Sequence, residues 1–207
     1  MKSILTIFSF LFVVSFIQTN AYSKWDAKDL ETANTGKNIS YLTDEEKRVI
    51  TLINLARINP PLFAQTVLQN YIDSMSYKGS SYLNTLKKDL LGMKPVPVLY
   101  VSMDLFNIAE AHAVNMGNTG KVGHENFEKR YAEIAKKYMM SGENCHYGSD
   151  KAIKIVMSLL IDESKGDSPH RKNILQKDFT LIGVVIRPHK AKIWNCVQSF
   201  AGKEKQK

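Results

Sequence analysis

Between residues 44 and 161 the apolar positions recur at steps of three and four, and beyond residue 180 they recur at steps of two. The first spacing lines one face of a helix and the second one face of a strand. Thr43-Asp44-Glu45-Glu46 has the form of a capping box, and Val49, Ile50, Ile53 and Ala56 follow it, which predicts a helix starting near Asp44. Asn59-Pro60-Pro61 stops that helix, and Pro61 opens a second one carrying Phe63, Val67, Leu68, Tyr71 and Ile72. Residues 74–81 read as a loop, and Leu83, Leu86 and Leu90 as a short helix that Gly92 ends. Ser102 caps a longer helix with Leu105, Ile108, His112 and Met116 on its apolar face, which assigns His112 to the core. Phe127, Tyr131, Ile134 and Tyr138 mark another amphipathic stretch, and Ser149 caps one with Ile153, Val156, Met157, Leu160 and Ile161. Leu181 to Ile186 and Ile193 to Phe200 are rich in β-branched and aromatic residues and flank RPHKAK, the pattern of a β-hairpin. This order predicts an α+β domain, helices packed on a small, mostly antiparallel sheet, rather than alternating βα units.

The first 21 residues follow a different pattern. Lys2 precedes an apolar run from Ile4 to Ile17, and Thr19 and Ala21 are small residues at the −3 and −1 positions of a cleavage site, which is the form of a secretory signal peptide. The run is shorter than the roughly 20 residues that span a bilayer, and no long apolar stretch follows, so no transmembrane helix is expected after cleavage. We expect a mature chain starting at Tyr22, with an N-terminal extension at 22–43, one domain at 44–202 and a basic tail at 203–207. Export places the protein in the periplasm or outside the cell. Loss of Lys2 with the leader lowers the net charge from +8 to +7, which favours encounters with anionic surfaces. The basic residues are scattered and no zinc-finger or RNA-binding signature accompanies them, so nucleic acid is not an expected partner.

Cys145 and Cys196 are the two cysteines, and an oxidising compartment allows a disulfide between them. Such a bridge would close a loop of about 50 residues, worth roughly 4 kcal/mol. Two separate buried thiols are the alternative, because sequence does not bring the two Cα atoms within reach.

Three short stretches carry the candidate chemistry: GHENF at 123–127, GENC at 142–145 and SPHR at 168–171. With LINLARINP at 52–60 and the longer SPHRKNILQKDFTLIGVVI at 168–186, they resemble the CAP superfamily of cysteine-rich secretory, antigen 5 and pathogenesis-related proteins, in its bacterial form. The resemblance covers roughly residues 44–202. It implies a three-layer α-β-α sandwich whose cleft holds two His and two acids, a tetrad that in some members binds Zn²⁺ or another divalent ion. His124, Glu143 and His170 match three members of that tetrad. The fourth acid of the family lies in a Trp-containing helix, and here Leu160-Ile161-Asp162-Glu163 occupies that place without the Trp. Projection at 100° per residue sets Asp162 opposite the apolar face and Glu163 at its edge, which selects Glu163.

In this reading His124 and His170 are the metal ligands, and Glu143 and Glu163 orient them or act as general base. Two protein ligands make a weak site, since structural sites use four and catalytic ones three. A hydrogen-bonded cluster without metal is the alternative. Ser168 and Pro169 read as a helix start that fixes His170, Arg171 and Asn173 as serving that turn or the surface, and Arg57 as a helix-end charge. Asn54 receives no site, and His146 and His189 fall outside the tetrad.

Two functions follow. One is a secreted, monomeric binding protein whose cleft takes a lipid, a small molecule, a cell-envelope component or a divalent ion. The other is a metal-assisted hydrolase of peptidase type. The HExxH spacing of zincins and the GxSxG of serine hydrolases are both missing, and a Cys-His protease built on Cys145 with His170 or His146 requires a free Cys145.

Overall fold

The computed structural model describes residues 21–163 and 167–205. The signal peptide expected at 1–21 lies, except for Ala21, outside the described residues. Among those described, no helix is long and apolar enough to cross a membrane.

Residues 22–43 pack on the domain instead of trailing from it. Trp25 and Ala33 are buried, and the Trp25 indole donates to Thr66 Oγ1 at 3.0 Å. Helix α1 (Ala27–Ala33) leads to α2 (Asp44–Ile58), which the Thr43 capping box opens. Asn59 caps α3 (Pro60–Phe63), which runs through a π-helical turn (Ala64–Leu68) into α4 (Gln69–Met75). Then come α5 (Ser81–Gly92), the two-residue β1 (Tyr100–Val101), α6 (Met103–Thr119), α7 (Phe127–Arg130) and α8 (Ala132–Lys137). The chain ends β2 (Tyr138–Tyr147), α9 (Ala152–Ile161), α10 (Pro169–Leu175), β3 (Leu181–His189) and β4 (Ile193–Glu204).

The four strands are ordered β1-β3-β4-β2, with β1 parallel to β3 and the other pairs antiparallel. Helix α6 packs on one face, and α2, α9 and α10 pack on the other, giving three layers. The close approach of α6 depends on missing side chains. A Cβ at Gly183 would stand 2.3 Å from the Leu105 carbonyl carbon and the Phe106 nitrogen, neither of which can move alone. Gly183→Ala is expected to cost about 3 kcal/mol, which for a domain of this size lowers the melting midpoint by roughly 6–12 °C. A midpoint within 2 °C of wild type would contradict that packing.

Strand β2 departs from expectation, because GENC lies in an extended strand and Tyr138 starts it instead of closing a helix. Gly142 to Cys145 are buried on both faces, so no alternation marks them as a strand. Ser149 likewise does not cap α9. It accepts from Lys151 N at 3.1 Å, and the helix starts at Ala152, whose N–H donates to Glu45 at 2.7 Å.

The register of β2 on β4 rules out the expected disulfide. Cys145 stands opposite Val197 and Cys196 opposite His146. Side chains on a strand alternate between faces, so this one-residue offset sends the two thiols to opposite sides of the sheet. Both cysteines are free and buried. Cys196, wholly buried, is expected to take up no alkylating reagent until the protein is denatured, and the denatured protein then to take up two equivalents without reduction.

Candidate functional site

The edge strand β2 carries Glu143, Cys145 and Tyr147 on its α6 face and Asn144 and His146 on the other, so residues from both outer layers meet along this edge. On the α6 side, the loop after that helix brings His124 Nδ1 to 2.9 Å from Glu143 Oε1. An ionised carboxylate only accepts, so Nδ1 carries the proton and Nε2 keeps its lone pair. Arg130, from α7, holds Glu143 as well: Nη2 donates to Oε1 at 2.8 Å and Nη1 to Oε2. Burial pushes the Glu143 carboxyl up, but the His124 and Arg130 hydrogen bonds and the Arg130 charge outweigh it and hold the pKa at about 2. Behind the carboxylate lies His112, buried as its helical face requires, with Nε2 2.9 Å from Gly123 O.

The second half-site is built at the end of α9. The helix stops at Ile161, and Asp162 takes the left-handed conformation at φ 54° as its C-cap. That turn drives its carboxylate into the protein. Oδ2 accepts the His170 backbone N–H at 2.8 Å, and Oδ1 faces His170 Nδ1 at 2.7 Å. One carboxylate therefore caps the first turn of α10 and fixes the histidine tautomer, leaving His170 Nε2 with its lone pair. Ser168, expected as the cap, is itself at φ 58° and makes no capping bond. Glu163 is exposed and accepts from Tyr77 Oη at 2.5 Å. The helical projection that favoured Glu163 fails because the helix ends one residue before the two acids diverge.

Asn144 and Asn173 lock the halves together. Asn173 Nδ2 donates to Asn144 Oδ1 at 2.9 Å, and Asn144 Nδ2 donates to His170 O at 3.1 Å. Arg171 is buried rather than superficial. It donates to the carbonyls of Leu160, Ile161 and Tyr82, to Thr85 and to Asp89, fastening α10 to α9 and α5. Arg57 is fully buried inside a ring of carbonyls, from Pro97, Ile174, Gln176 and Phe179. Asn54 joins α2 to the backbone of Ala33 and Leu99. Arg130 and Asn144 carry the site without having been singled out as members, and Asp162 is the acid that had been weighed against Glu163. For the two asparagines the recurring Asn of GEN and HRKN was the available signal.

His124, Cys145, Tyr147, His170, Val122 and Lys192 line an open cavity of about 540 Å³. Neither His124 Nε2 nor His170 Nε2 has a hydrogen-bond partner among the described residues, so the two histidines that line the cleft each keep an Nε2 lone pair, with a carboxylate behind the ring. That donor set fits a divalent transition-metal ion with water or a ligand on its other positions. A second group of potential ligand atoms, from His112, Glu143 and Cys145, lies within 4.8 Å beneath the cleft floor. Burial pushes the Cys145 thiol well up, and the Glu143 charge adds to that, which disfavours the thiolate a Cys-His protease needs. His189 is spent on the hairpin, with Nε2 donating to Lys121 O and Nδ1 accepting from Ala191 and Lys192 N–H.

His146 lies on the opposite face of β2, its Nε2 without a partner among the described residues. Burial first, and then the His170 charge, pull its pKa down from 6.5 to about 4. The unfolded chain therefore binds a proton there, between pH 6.5 and about 4, that the folded chain refuses, so stability falls as pH drops through that window. Glu143, depressed from 4.5 to about 2, adds a second loss between those values. His112 is also lowered, by burial, and contributes with His146. His146→Gln is expected to make the fall in melting temperature from pH 6.5 to 4 shallower, and an unchanged slope would show that His146 is not held neutral.

A model of the cysteine-rich secretory protein family, CAP, matches residues 50–200. No curated protein gives a significant match. Among solved structures, an extracellular protein containing an SCP domain from Bacillus anthracis str. Ames is 16% identical with a TM-score of 0.46, over 78% of this chain and 44% of that one. An outer surface protein from Borrelia burgdorferi is 20% identical with a TM-score of 0.43, over 64% of this chain and 94% of that one. A cysteine-rich secretory protein from Staphylococcus aureus subsp. aureus Mu50 is 15% identical with a TM-score of 0.41, over 61% of this chain and 40% of that one. The chain thus spans less than half the length of the Bacillus and Staphylococcus chains. The family model takes in α6, the whole cleft, β3 and all but the last four residues of β4, and on that match the chain belongs to the cysteine-rich secretory protein (CAP) family.

Proposed function

We propose that the protein is an exported binding domain whose cleft takes a divalent ion, or a ligand that engages such an ion, through Nε2 of His124 and His170. The observation that carries this is the pairing of each Nδ1 with a carboxylate, in two histidines that line one cavity. Zn²⁺ suits two imidazoles, and two protein ligands make it a weak site. A bound ion would supply a Lewis acid and an anchoring charge for an anionic or carbonyl group. The leader at 1–21 and the secretory description of the family support export to the periplasm or the exterior, and Lys192 at the cleft mouth suits anionic groups of lipids or envelope polymers. We propose a monomer.

The same cleft could serve a metal-assisted hydrolase only if a carboxylate were free to take a proton from water. Glu143 is locked to Arg130 with its pKa near 2, and Asp162 holds two N–H groups of His170, so both orient imidazoles. Calorimetric Zn²⁺ titration with a peptidase and esterase screen tests the choice. Wild type is expected to bind Zn²⁺, more weakly as the solution is acidified because protons compete for the imidazoles. His124→Ala and His170→Ala are expected to lose the cleft ion, and no variant to show turnover. Turnover abolished in Glu143→Gln with the ion retained would overturn the binding reading.

A further inference from the structure

Three buried side chains under the cleft floor bring donor atoms together in a way that the paired Nε2 atoms do not use. His112 Nε2 stands 3.7 Å from Glu143 Oε1 and Cys145 Sγ 3.9 Å from the same oxygen. The three donor atoms all lie within 4.8 Å of one another. Metal bonds of about 2.0–2.3 Å set tetrahedral ligands roughly 3.3–3.8 Å apart, so this triangle needs only a small contraction. The ligands sit on rigid elements, His112 on α6 and the other two at alternate positions of β2, where the strand period gives them one face. The protons also converge. A carbonyl oxygen only accepts, so His112 Nε2–H at 2.9 Å and the Cys145 thiol at 3.6 Å both donate to Gly123 O. Gly123, at φ 103°, has the conformation that allows this carbonyl to face inward. Two donor protons aimed at one oxygen leave room for one divalent cation in their place.

We infer that His112 Nε2, Glu143 Oε1 and Cys145 Sγ form a second, buried site for a thiophilic divalent ion of the Zn²⁺ class. Binding makes three metal–ligand bonds, releases the Cys145 proton to solvent and leaves His112 neutral with its proton on Nδ1 instead of Nε2; no atom changes oxidation state. Arg130 Nη1 remains on Glu143 Oε2 and His124 Nδ1 on Oε1, and the ion takes the lone pair of Oε1 that Arg130 Nη2 now occupies at 2.8 Å. His124 Nδ1 lies 3.7 Å from Sγ, and Cys145 lines the cleft, which is the way in. Thiolate with imidazole selects Zn²⁺ over Mg²⁺ or Ca²⁺. With three protein ligands instead of two, this site should fill before the cleft.

Co²⁺ titration of the full chain, followed by absorption, tests this, because sulfur ligation gives a thiolate-to-cobalt charge-transfer band that histidine and carboxylate ligands do not. The band is expected with the first equivalent in wild type, to persist in His170→Ala, and to be missing from Cys145→Ser, which still takes up the weaker cleft ion. Added Zn²⁺ is expected to abolish it at equal concentration. No band in wild type would overturn the inference without touching the cleft reading, and a band lost in His170→Ala would overturn a separate site by placing Cys145 around the cleft ion. Failure of His170→Ala to weaken the second equivalent bears on the cleft reading alone.

Discussion

Arg57→Ala is expected to destabilise the protein by about 4 kcal/mol, the order seen when one partner of a buried charged network is removed. The guanidinium donates at 2.7–3.0 Å to four backbone carbonyls drawn from two distant segments, 97 and 174–179. Ala fills none of the space and leaves carbonyls without donors, each costing about 1 kcal/mol or more. Burial lowers the Arg57 pKa only to about 10, so the charge persists at neutral pH. Lys carries one ammonium where the ring of carbonyls needs a planar fork, so Arg57→Lys is expected to fall between Ala and wild type. Urea unfolding monitored by circular dichroism measures both. Since Ile174 and Gln176 end the segment that carries His170, ion binding should weaken with stability. A loss below 1 kcal/mol for Arg57→Ala would mean that the carbonyls are satisfied without it.

The second large effect is on the cleft. Asp162→Asn is expected to lower Zn²⁺ affinity by about 10- to 100-fold or more, the usual cost of losing a carboxylate behind a ligating histidine. The amide oxygen can still accept the His170 backbone N–H, so α10 keeps its cap. The amide nitrogen then faces His170 Nδ1 and donates to it, which moves the imidazole proton to Nε2 and removes the lone pair from the cleft. Glu163→Gln, altering an exposed acid bonded to Tyr77, is expected to leave affinity within twofold of wild type. Calorimetry on the two variants side by side separates the acids. Equal losses, or a loss confined to Glu163→Gln, would contradict the assignment of Asp162.

The elements that were legible in the sequence are those whose signal is local. The Thr43 capping box, the Pro60-Pro61 break, the apolar stripe of α6 and the period-two hairpin each follow from residues within a few positions of one another, and the structure has all four. Strand β2 was not, because its central residues are covered from both sides and lose the alternation that marks a strand. The same strand explains the cysteines: pairing them required a register, and one residue of offset puts the thiols on opposite faces. At the site, His124, Glu143 and His170 came from motif order, while the fourth acid depended on where α9 stops. Asp162 leaves the helical path in the left-handed conformation, and a projection at 100° per residue holds only within a helix. Arg57 was read as a helix-end charge, and Arg171 as serving its local turn or the surface, for a related reason. Their partners are carbonyls from segments far away in sequence, and no spacing rule reports those.

Long-range ¹H–¹⁵N spectra with and without Zn²⁺ report which ring nitrogen of His124 and of His170 carries the proton. In the free protein His124 and His170 are expected to carry the proton on Nδ1, facing Glu143 and Asp162, and Zn²⁺ to shift Nε2 of both rings while Nδ1 stays protonated. Nε2-protonated rings in the free protein, or Zn²⁺ that leaves both Nε2 resonances unmoved, would contradict the proposed cleft site.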